Sequence, residues 1–274
     1  MFKIIIMALL IFIGMVGYDN ITDKAQPTTP VQQEQQKVSK HEKSAAMALF
    51  TSLLPPKEEW PSPVHKFYLA FNMDEVIDPI LQNPNWTSLD AMSRDIPQAL
   101  IAIEDHAFYN HGAIAVEGIL RATLANINAG EVVQGGSTLT QQFVKNVFLS
   151  HEQSMERKIE EAVLSLMLED NYSKDEILEL YLNTTSFGAG STGIRQASKT
   201  YFGKAPSALT LAEAAVIASL PYAPTSLNPL ENPEGCKKRQ LLVLAAMHKY
   251  GMINQGQLAE AKAEKIRLTN GTVM

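Results

Sequence analysis

Residues 158–183 read KIEEAVLSLMLEDNYSKDEILELYLN, and this stretch decides the fold class. Apolar residues recur three and four positions apart over 158–170 and again over 174–183. This spacing places them on one face of an α-helix, where they can pack against a core. The sequence therefore predicts two amphipathic helices here.

The same helical spacing continues on both sides of this stretch. It predicts further helices over 97–110, 139–149, 211–220 and 238–250. Turn-forming residues separate these segments, namely Gly135-Gly136, the glycine-rich 187–193 and the proline-dotted 221–233. Strand-like alternation is limited to short pieces such as KFYLAF at 66–71. The predicted fold is mostly α, with a small strand pair.

Composition bounds the class of protein. The chain has 274 residues, of which 46% are hydrophobic and 19% charged, so it can form a sizeable core and is not a disordered chain. A net charge of −6 offers no basic surface for a nucleic-acid backbone, and nucleic acid is not expected as a partner. The single cysteine, Cys236, excludes an internal disulfide, and no Cys/His cluster has zinc-ligand spacing.

The N-terminal segment predicts contact with a membrane. Residues 1–18 carry one charge, at Lys3, followed by 15 apolar residues from Ile4 to Tyr18. This run fits either a signal-peptide core or a short uncleaved anchor, and the poor match to a cleavage site favours the anchor. Residues 19–45 are polar and predict a flexible linker. The globular domain is predicted over 46–274, outside the cytosol.

Three clusters of polar residues can carry chemistry, and the first is EDHAFYNH at 104–111. It places two carboxylates, Glu104 and Asp105, and two imidazoles at the end of an apolar helix. Titratable groups beside apolar surface are candidates for a shifted pKa and for acid–base catalysis. The alternative is an amphipathic helix that ends in a solvated polar turn.

The second cluster is GGSTLTQQFVKN at 135–146. Two glycines precede a hydroxyl pair, and Thr138 with Gln141 has the spacing of a capping box at a helix start. Exposed backbone N–H groups at such a start attract phosphate, and Lys145 can add a full positive charge. The alternative is an ordinary capped helix.

The third cluster, RKIEE at 157–161, begins another helix with cations one turn before acids. Arg157 and Glu161 are four residues apart and share a helix face. The alternative is a surface ion pair of small energetic value. Periodicity leaves open whether Glu160 or Glu161 points inward.

Taken together and in this order, the clusters resemble the motifs of the peptidoglycan glycosyltransferases, glycosyltransferase family 51. The family patterns EDxxFxxH, GGSTxTQQxxKN and RKxxE match 104–111, 135–146 and 157–161. A fourth, KxxILExYLN, matches 174–183 without a mismatch, and RxxxVL matches 239–244. One departure is His106, which stands where the family often has arginine. No SxxK or KTG motif is present, so the resemblance is to the monofunctional type.

The resemblance implies a lysozyme-like, bilobed fold with a large head and a small membrane-associating jaw. It also implies that lipid II is polymerised into glycan strands with inversion and release of undecaprenyl diphosphate. By family position Glu104 is the general base and Glu161 the second acid. Substrate-binding positions are then the following: Asp105, Phe108, His111, Ser137, Thr138, Gln141, Gln142, Lys145 and Arg157.

The resemblance further implies a divalent cation, Mg²⁺ or Mn²⁺, near the diphosphate and Glu161, and no organic cofactor. Expected partners are lipid II, the growing glycan strand, the bacterial cytoplasmic membrane, and transpeptidases or division and elongation proteins. A single-pass anchor would place the domain on the outer face of that membrane. Two alternatives stay open: a lysozyme-like enzyme that cleaves peptidoglycan, and a non-catalytic scaffold in a wall-synthesis complex.

Overall fold

A computed structural model describes residues 68–69, 72–118, 135–149 and 154–274. The chain divides into two compact units, residues 1–69 and 70–274. The predicted anchor at 1–18 and linker at 19–45 lie outside the described residues. No helix in the described ranges is both long and apolar enough to cross a membrane.

The described part of the second unit is mostly helical, as predicted. Its longer helices are α1 (Asp74–Leu81), α2 (Asp95–Glu104), α3 (Leu139–Phe148), α4 (Met155–Asn171), α5 (Lys174–Thr184), α6 (Ile194–Phe202), α7 (Leu211–Ser219), α8 (Pro233–Lys249) and α9 (Gln255–Ala263). The antiparallel strands β1 (Ser186–Gly188) and β2 (Ser191–Thr192) form a hairpin between α5 and α6. All six helices predicted from apolar spacing are therefore confirmed, and so is a small strand pair.

Two local predictions are wrong. The helix predicted over 97–110 ends at Glu104, because Asp105 adopts a non-helical backbone (φ −158°, ψ 69°), and a separate 3₁₀ turn follows at Phe108–Asn110. The strand-like alternation of 66–71 does not form a strand at Tyr68 and Leu69, which are helical. Short apolar runs fit helix and strand equally well, and tertiary packing decides between them.

The core of the second unit forms where α7 packs against α2 and α8. Every residue of α7 from Ala212 to Ser219 is buried, and half of them are alanine, so neighbouring helices can approach closely. A second group forms where α3 packs against α4 and α5. The two groups are connected where the end of α2 meets α3, through the hydrogen bond between Glu104 and Gln142.

The fourth motif holds a loop in place by buried polar side chains of α5. Glu179 accepts hydrogen bonds from the Trp86 indole N–H and the Leu89 backbone N–H, both 2.8 Å. Asn183 exchanges two 2.9 Å bonds with the backbone of Thr87, donating to its carbonyl and accepting from its N–H. Buried amides and carboxylates with all partners satisfied fix a loop strongly.

The β1–β2 hairpin supplies a stability prediction. Gly188 has φ +82°, and a Cβ built there would lie 2.2 Å from the Pro224 carbonyl oxygen, whereas Gly190 has φ +70° and open space around it. Gly190→Ala should cost only the positive-φ strain, about 1 kcal/mol. Gly188→Ala adds a backbone clash and should cost about 3 kcal/mol or more. Urea unfolding of both variants measures the difference, and equal losses would contradict it.

Candidate active site

Glu104 is the last residue of α2 and is only partly exposed. The Gln142 amide of α3 donates a 2.9 Å hydrogen bond from Nε2 to Glu104 Oε2. Burial raises the pKa of Glu104, while the bond from Gln142 and the charges of Arg239 and Lys145 oppose that rise. A carboxylate with a raised pKa is a stronger base than an ordinary glutamate, which suits it to accept a proton from a hydroxyl.

The carboxylate of Asp105 contacts His111 and the start of α3. Its Oδ1 lies 2.6 Å from His111 Nε2, and its Oδ2 accepts a 3.0 Å hydrogen bond from the Leu139 backbone N–H. Leu139 is the first residue of α3, so the carboxylate occupies the positive end of that helix. One oxygen of Asp105 therefore holds His111 within the first motif, and the other connects the first motif to the second.

His111 donates from both ring nitrogens. Its Nδ1 lies 2.6 Å from the Gly112 carbonyl oxygen, which can only accept, and Nε2 faces the Asp105 carboxylate. The bond to Asp105 is the main cause that raises the pKa of His111 above its ordinary 6.5. The residue is thus best described as an imidazolium paired with Asp105.

This ion pair predicts a pH-dependent contribution to folding. A histidine whose pKa is raised in the folded state contributes stability below its unfolded pKa of 6.5, and loses it as pH rises through the folded pKa. His111→Gln should therefore lower the free energy of unfolding more at acidic than at alkaline pH. Urea unfolding of both proteins across this range measures the difference. A difference that is independent of pH would contradict the ion pair.

The start of α3 is built by the predicted capping box. Thr138 Oγ1 accepts from the Gln141 backbone N–H, and Gln141 Oε1 accepts from the Thr138 N–H, both 3.1 Å. Thr138 also donates a 2.7 Å bond to the Ala113 carbonyl. Phe108 is fully buried beneath the Lys174 ammonium, 4.5 Å from its ring centre. These three side chains are engaged within the protein, and their assignment to substrate binding stays a prediction.

A second group of charged side chains, which we call the ion cluster, consists of Arg157, Lys158 and Glu161 of α4. Glu161 is 1% exposed, and its carboxylate accepts from Arg157 Nη1 at 3.1 Å and from the Lys158 ammonium. Lys158 also donates a 2.9 Å hydrogen bond to Ser137 Oγ. The i,i+4 contact predicted between Arg157 and Glu161 is confirmed. Periodicity left open whether Glu160 or Glu161 points inward, and in the structure it is Glu161.

The side chains of this cluster do not form a divalent-metal site by themselves. Both Glu161 oxygens are engaged by cations, and the described ranges contain no group of three His, Cys, Asp or Glu side chains able to hold a metal ion. The donor set therefore does not fit a protein-held Mg²⁺ or Mn²⁺. The metal inferred from the resemblance stays a prediction, and no chemical step below depends on it.

Helix α3 connects Glu104 to the cluster. Gln142, which contacts Glu104, lies one turn after the cap residue Thr138, and Ser137, which contacts Lys158, lies just before it. A carboxylate with a raised pKa and a cationic group are thus both connected to the first turns of one helix. Lys145 of the same helix is exposed, and its charge also acts on Glu104.

Sequence reasoning assigned no role to three residues of this region. Lys158 is the second residue of the third motif, Tyr181 belongs to the fourth and contacts Gln142, and Arg239 begins the fifth and acts on Glu104. The sequence pointed to these three residues only because they lie within the matched motifs. Lys158 also pairs with the nearby Glu161, but its contact with Ser137, that of Tyr181 with Gln142 and the effect of Arg239 on Glu104 join residues far apart in sequence.

Comparison with known proteins assigns the family. Residues 73–248 match the family described as transglycosylase. The chain belongs to the transglycosylase family. A Cupriavidus necator relative that carries a transglycosylase name is 41% identical over 185 residues, which are 68% of this chain and 80% of that protein. The family match over residues 73–248 includes all five motifs.

Longer relatives share the same region. Penicillin-binding protein 1A of Neisseria flavescens is 44% identical over 185 residues, which are 68% of this chain and 23% of that protein. The crystal structure of penicillin-binding protein 1A from Haemophilus influenzae is 33% identical over 48% of this transglycosylase and 16% of that chain, with a TM-score of 0.34. The transglycosylase spans about a quarter of the length of the Neisseria relative.

Proposed function

We propose that this transglycosylase is a peptidoglycan glycosyltransferase that polymerises lipid II into glycan strands. The acceptor hydroxyl attacks the anomeric carbon of the growing strand, undecaprenyl diphosphate leaves, and the configuration inverts. The observation that carries the proposal is the start of α3, where a desolvated carboxylate and a cluster of cations meet. A proton acceptor and a site for a leaving diphosphate are what this reaction requires.

In this proposal Glu104 accepts the proton of the attacking hydroxyl. Burial raises its pKa and makes it a stronger base than an ordinary glutamate, while the hydrogen bond from Gln142 and the charges of Arg239 and Lys145 oppose that rise. The Gln142 N–H group occupies one carboxylate oxygen, Oε2. The other oxygen, Oε1, is then the atom we assign to the proton transfer.

Cations of the cluster stabilise the departing diphosphate. Lys158 and Arg157 already neutralise Glu161, and together the three side chains carry one net positive charge. We assign a diphosphate oxygen to the buried Arg157 Nε–H, which has no hydrogen-bond partner among the described residues. Charged hydrogen bonds of this type are among the strongest that proteins make.

The finer architecture belongs to the same proposal. We place the described helices in the head of a bilobed, lysozyme-like domain and assign the region after the first motif to a membrane-associating jaw. Val116 there is 64% exposed, and Ile114 is partly exposed. Ile119, Leu120 and Leu124, which the sequence assigns to the same apolar surface, lie outside the described residues. An N-terminal anchor, an outer-face location and wall-synthesis partners complete the proposal.

Incubation with lipid II tests the reaction directly. The detergent-solubilised full chain should convert lipid II into polymer that is resolved from monomer by electrophoresis. A parallel incubation with preformed peptidoglycan tests the alternative enzyme, since a lysozyme-like hydrolase would release fragments from it. Consumption of neither substrate by a folded protein would favour the scaffold and contradict the proposed function.

A further inference from the structure

Tyr181 of α5 contacts the opposite end of the Gln142 amide from Glu104. Its hydroxyl lies 3.1 Å from Gln142 Oε1, and Gln142 Nε2 lies 2.9 Å from Glu104 Oε2. Tyr181 is 1% exposed, so its hydroxyl is removed from bulk water. The three side chains form a continuous hydrogen-bonded chain that leads from the interior to Glu104.

We propose that Tyr181 is a positioning residue whose hydroxyl holds the Gln142 amide in the orientation that presents an N–H group to Glu104. The expected effect on the reaction rate rests on the proposed function. The orientation of the amide does not. The residue acts through Gln142, and no contact between its hydroxyl and the reacting atoms is needed.

The chemistry of each group supports one direction of hydrogen bonding. An ionised carboxylate only accepts, so the Gln142 amide must turn its NH₂ group toward Glu104. The amide oxygen then faces Tyr181, whose hydroxyl must donate. Burial, helped by the negative charge of Glu104, raises the pKa of Tyr181, so the phenol keeps the proton that it donates.

Without the hydroxyl of the buried Tyr181, the partly buried Gln142 oxygen would lose this donor. The amide would then gain by rotating or withdrawing, and Glu104 would lose its hydrogen bond. Among the groups that face Glu104, the bond from Gln142 lowers its pKa more than Arg239 of α8 or Lys145 of α3, while the adjacent Asp105 raises it. Loss of the bond should therefore raise the pKa of Glu104 further.

Tyr181→Phe tests this inference, and Tyr201→Phe is its matched control. Tyr201 is also fully buried, and its hydroxyl donates a 2.7 Å hydrogen bond to the Phe187 carbonyl, outside the chain of contacts to Glu104. Both variants delete one buried phenol oxygen. Only Tyr181→Phe should move the acid limb of the kcat/KM profile for lipid II to higher pH, because a base works only when it is deprotonated. The rate at neutral pH should fall roughly tenfold.

A second readout does not depend on activity. The ¹³C shift of the Glu104 carboxyl, assigned with Glu104→Gln, should titrate at higher pH in Tyr181→Phe than in the wild type or Tyr201→Phe. Gln142→Met, which keeps the side-chain length but removes the amide, should reproduce the shift if Tyr181→Phe fails to fold. An unchanged titration would overturn the inference whether or not the protein polymerises lipid II. A shifted titration in a protein that does not polymerise lipid II would support the inference and contradict the proposed function.

Discussion

Glu104→Gln should reduce the initial rate of lipid II polymerisation by about two to four orders of magnitude, the usual cost of removing a general base. The amide keeps the volume of the side chain and can still accept the hydrogen bond that Gln142 donates at 2.9 Å. It cannot take the proton of the attacking hydroxyl. The measurement is the initial rate of polymer formation by wild type and variant under identical conditions.

The same variant should lose no stability. Burial raises the pKa of Glu104 above its ordinary value of 4.5. At pH values above 4.5 the ionised carboxylate is therefore less favourable in the folded protein than in the unfolded chain, and it lowers the free energy of unfolding. A neutral amide removes this penalty at neutral pH. The melting temperature of Glu104→Gln should therefore equal or exceed that of the wild type, as is common where function and stability conflict.

These two measurements together separate catalysis from folding. Inactivity with a normal or raised melting temperature supports Glu104 as the base. Inactivity with a melting temperature several degrees lower would make the residue structural. Near-normal turnover would remove the proposed mechanism, although the family assignment, which rests on the whole of residues 73–248, would stand.

Much of the fold could be predicted because its signals are local. Six helices followed from apolar spacing, and the capping box of Thr138 and Gln141 followed from residues three positions apart. Helices α1, α6 and α9 escaped prediction. Helix α1 contains Pro79, and α6 and α9 are nine-residue helices in which small and polar residues outnumber large apolar ones. In each case tertiary packing outweighs a weak local pattern.

The site was predictable as a set of positions, while the connections between them were not. Asp105 directly follows the proposed base in sequence, yet it pairs with His111 and holds the first N–H of α3. Glu179 and Asn183 of the fourth motif hold the loop at 86–89. Partners more than thirty residues apart depend on how helices pack, and spacing along one helix carries no record of that.

Glu161→Gln should also abolish most polymerisation, for a different physical reason. The Glu161 carboxylate holds Arg157 and Lys158, and it is 1% exposed. An amide removes the negative charge and turns an NH₂ group toward one of the two cations. Arg157 and Lys158, no longer neutralised by a carboxylate, then repel each other. Because both cations would leave their positions for the diphosphate, we expect a rate loss of about 100-fold or more.

The matched control for this change is Glu160→Gln, the same substitution one residue earlier on α4. Glu160 is only partly buried, and a charge removed there should leave the Arg157 and Lys158 contacts to Glu161 intact. Its rate should stay within about twofold of the wild type, since surface charge changes usually alter little. Equal losses in both variants would show that general charge on α4 matters and that the Glu161 contacts do not.

Stability gives Glu161→Gln a signature opposite to that of Glu104→Gln. Removing one partner from a buried ion pair costs about 3–5 kcal/mol, and the 43% exposure of the Lys158 side chain reduces the expected loss here to about 1–2 kcal/mol. Thermal unfolding at neutral pH should therefore place Glu161→Gln below the wild type and Glu104→Gln at or above it, with both inactive. A melting temperature for Glu161→Gln at or above that of the wild type would mean that its carboxylate does not hold the two cations. The diphosphate site would then have to be assigned to other side chains.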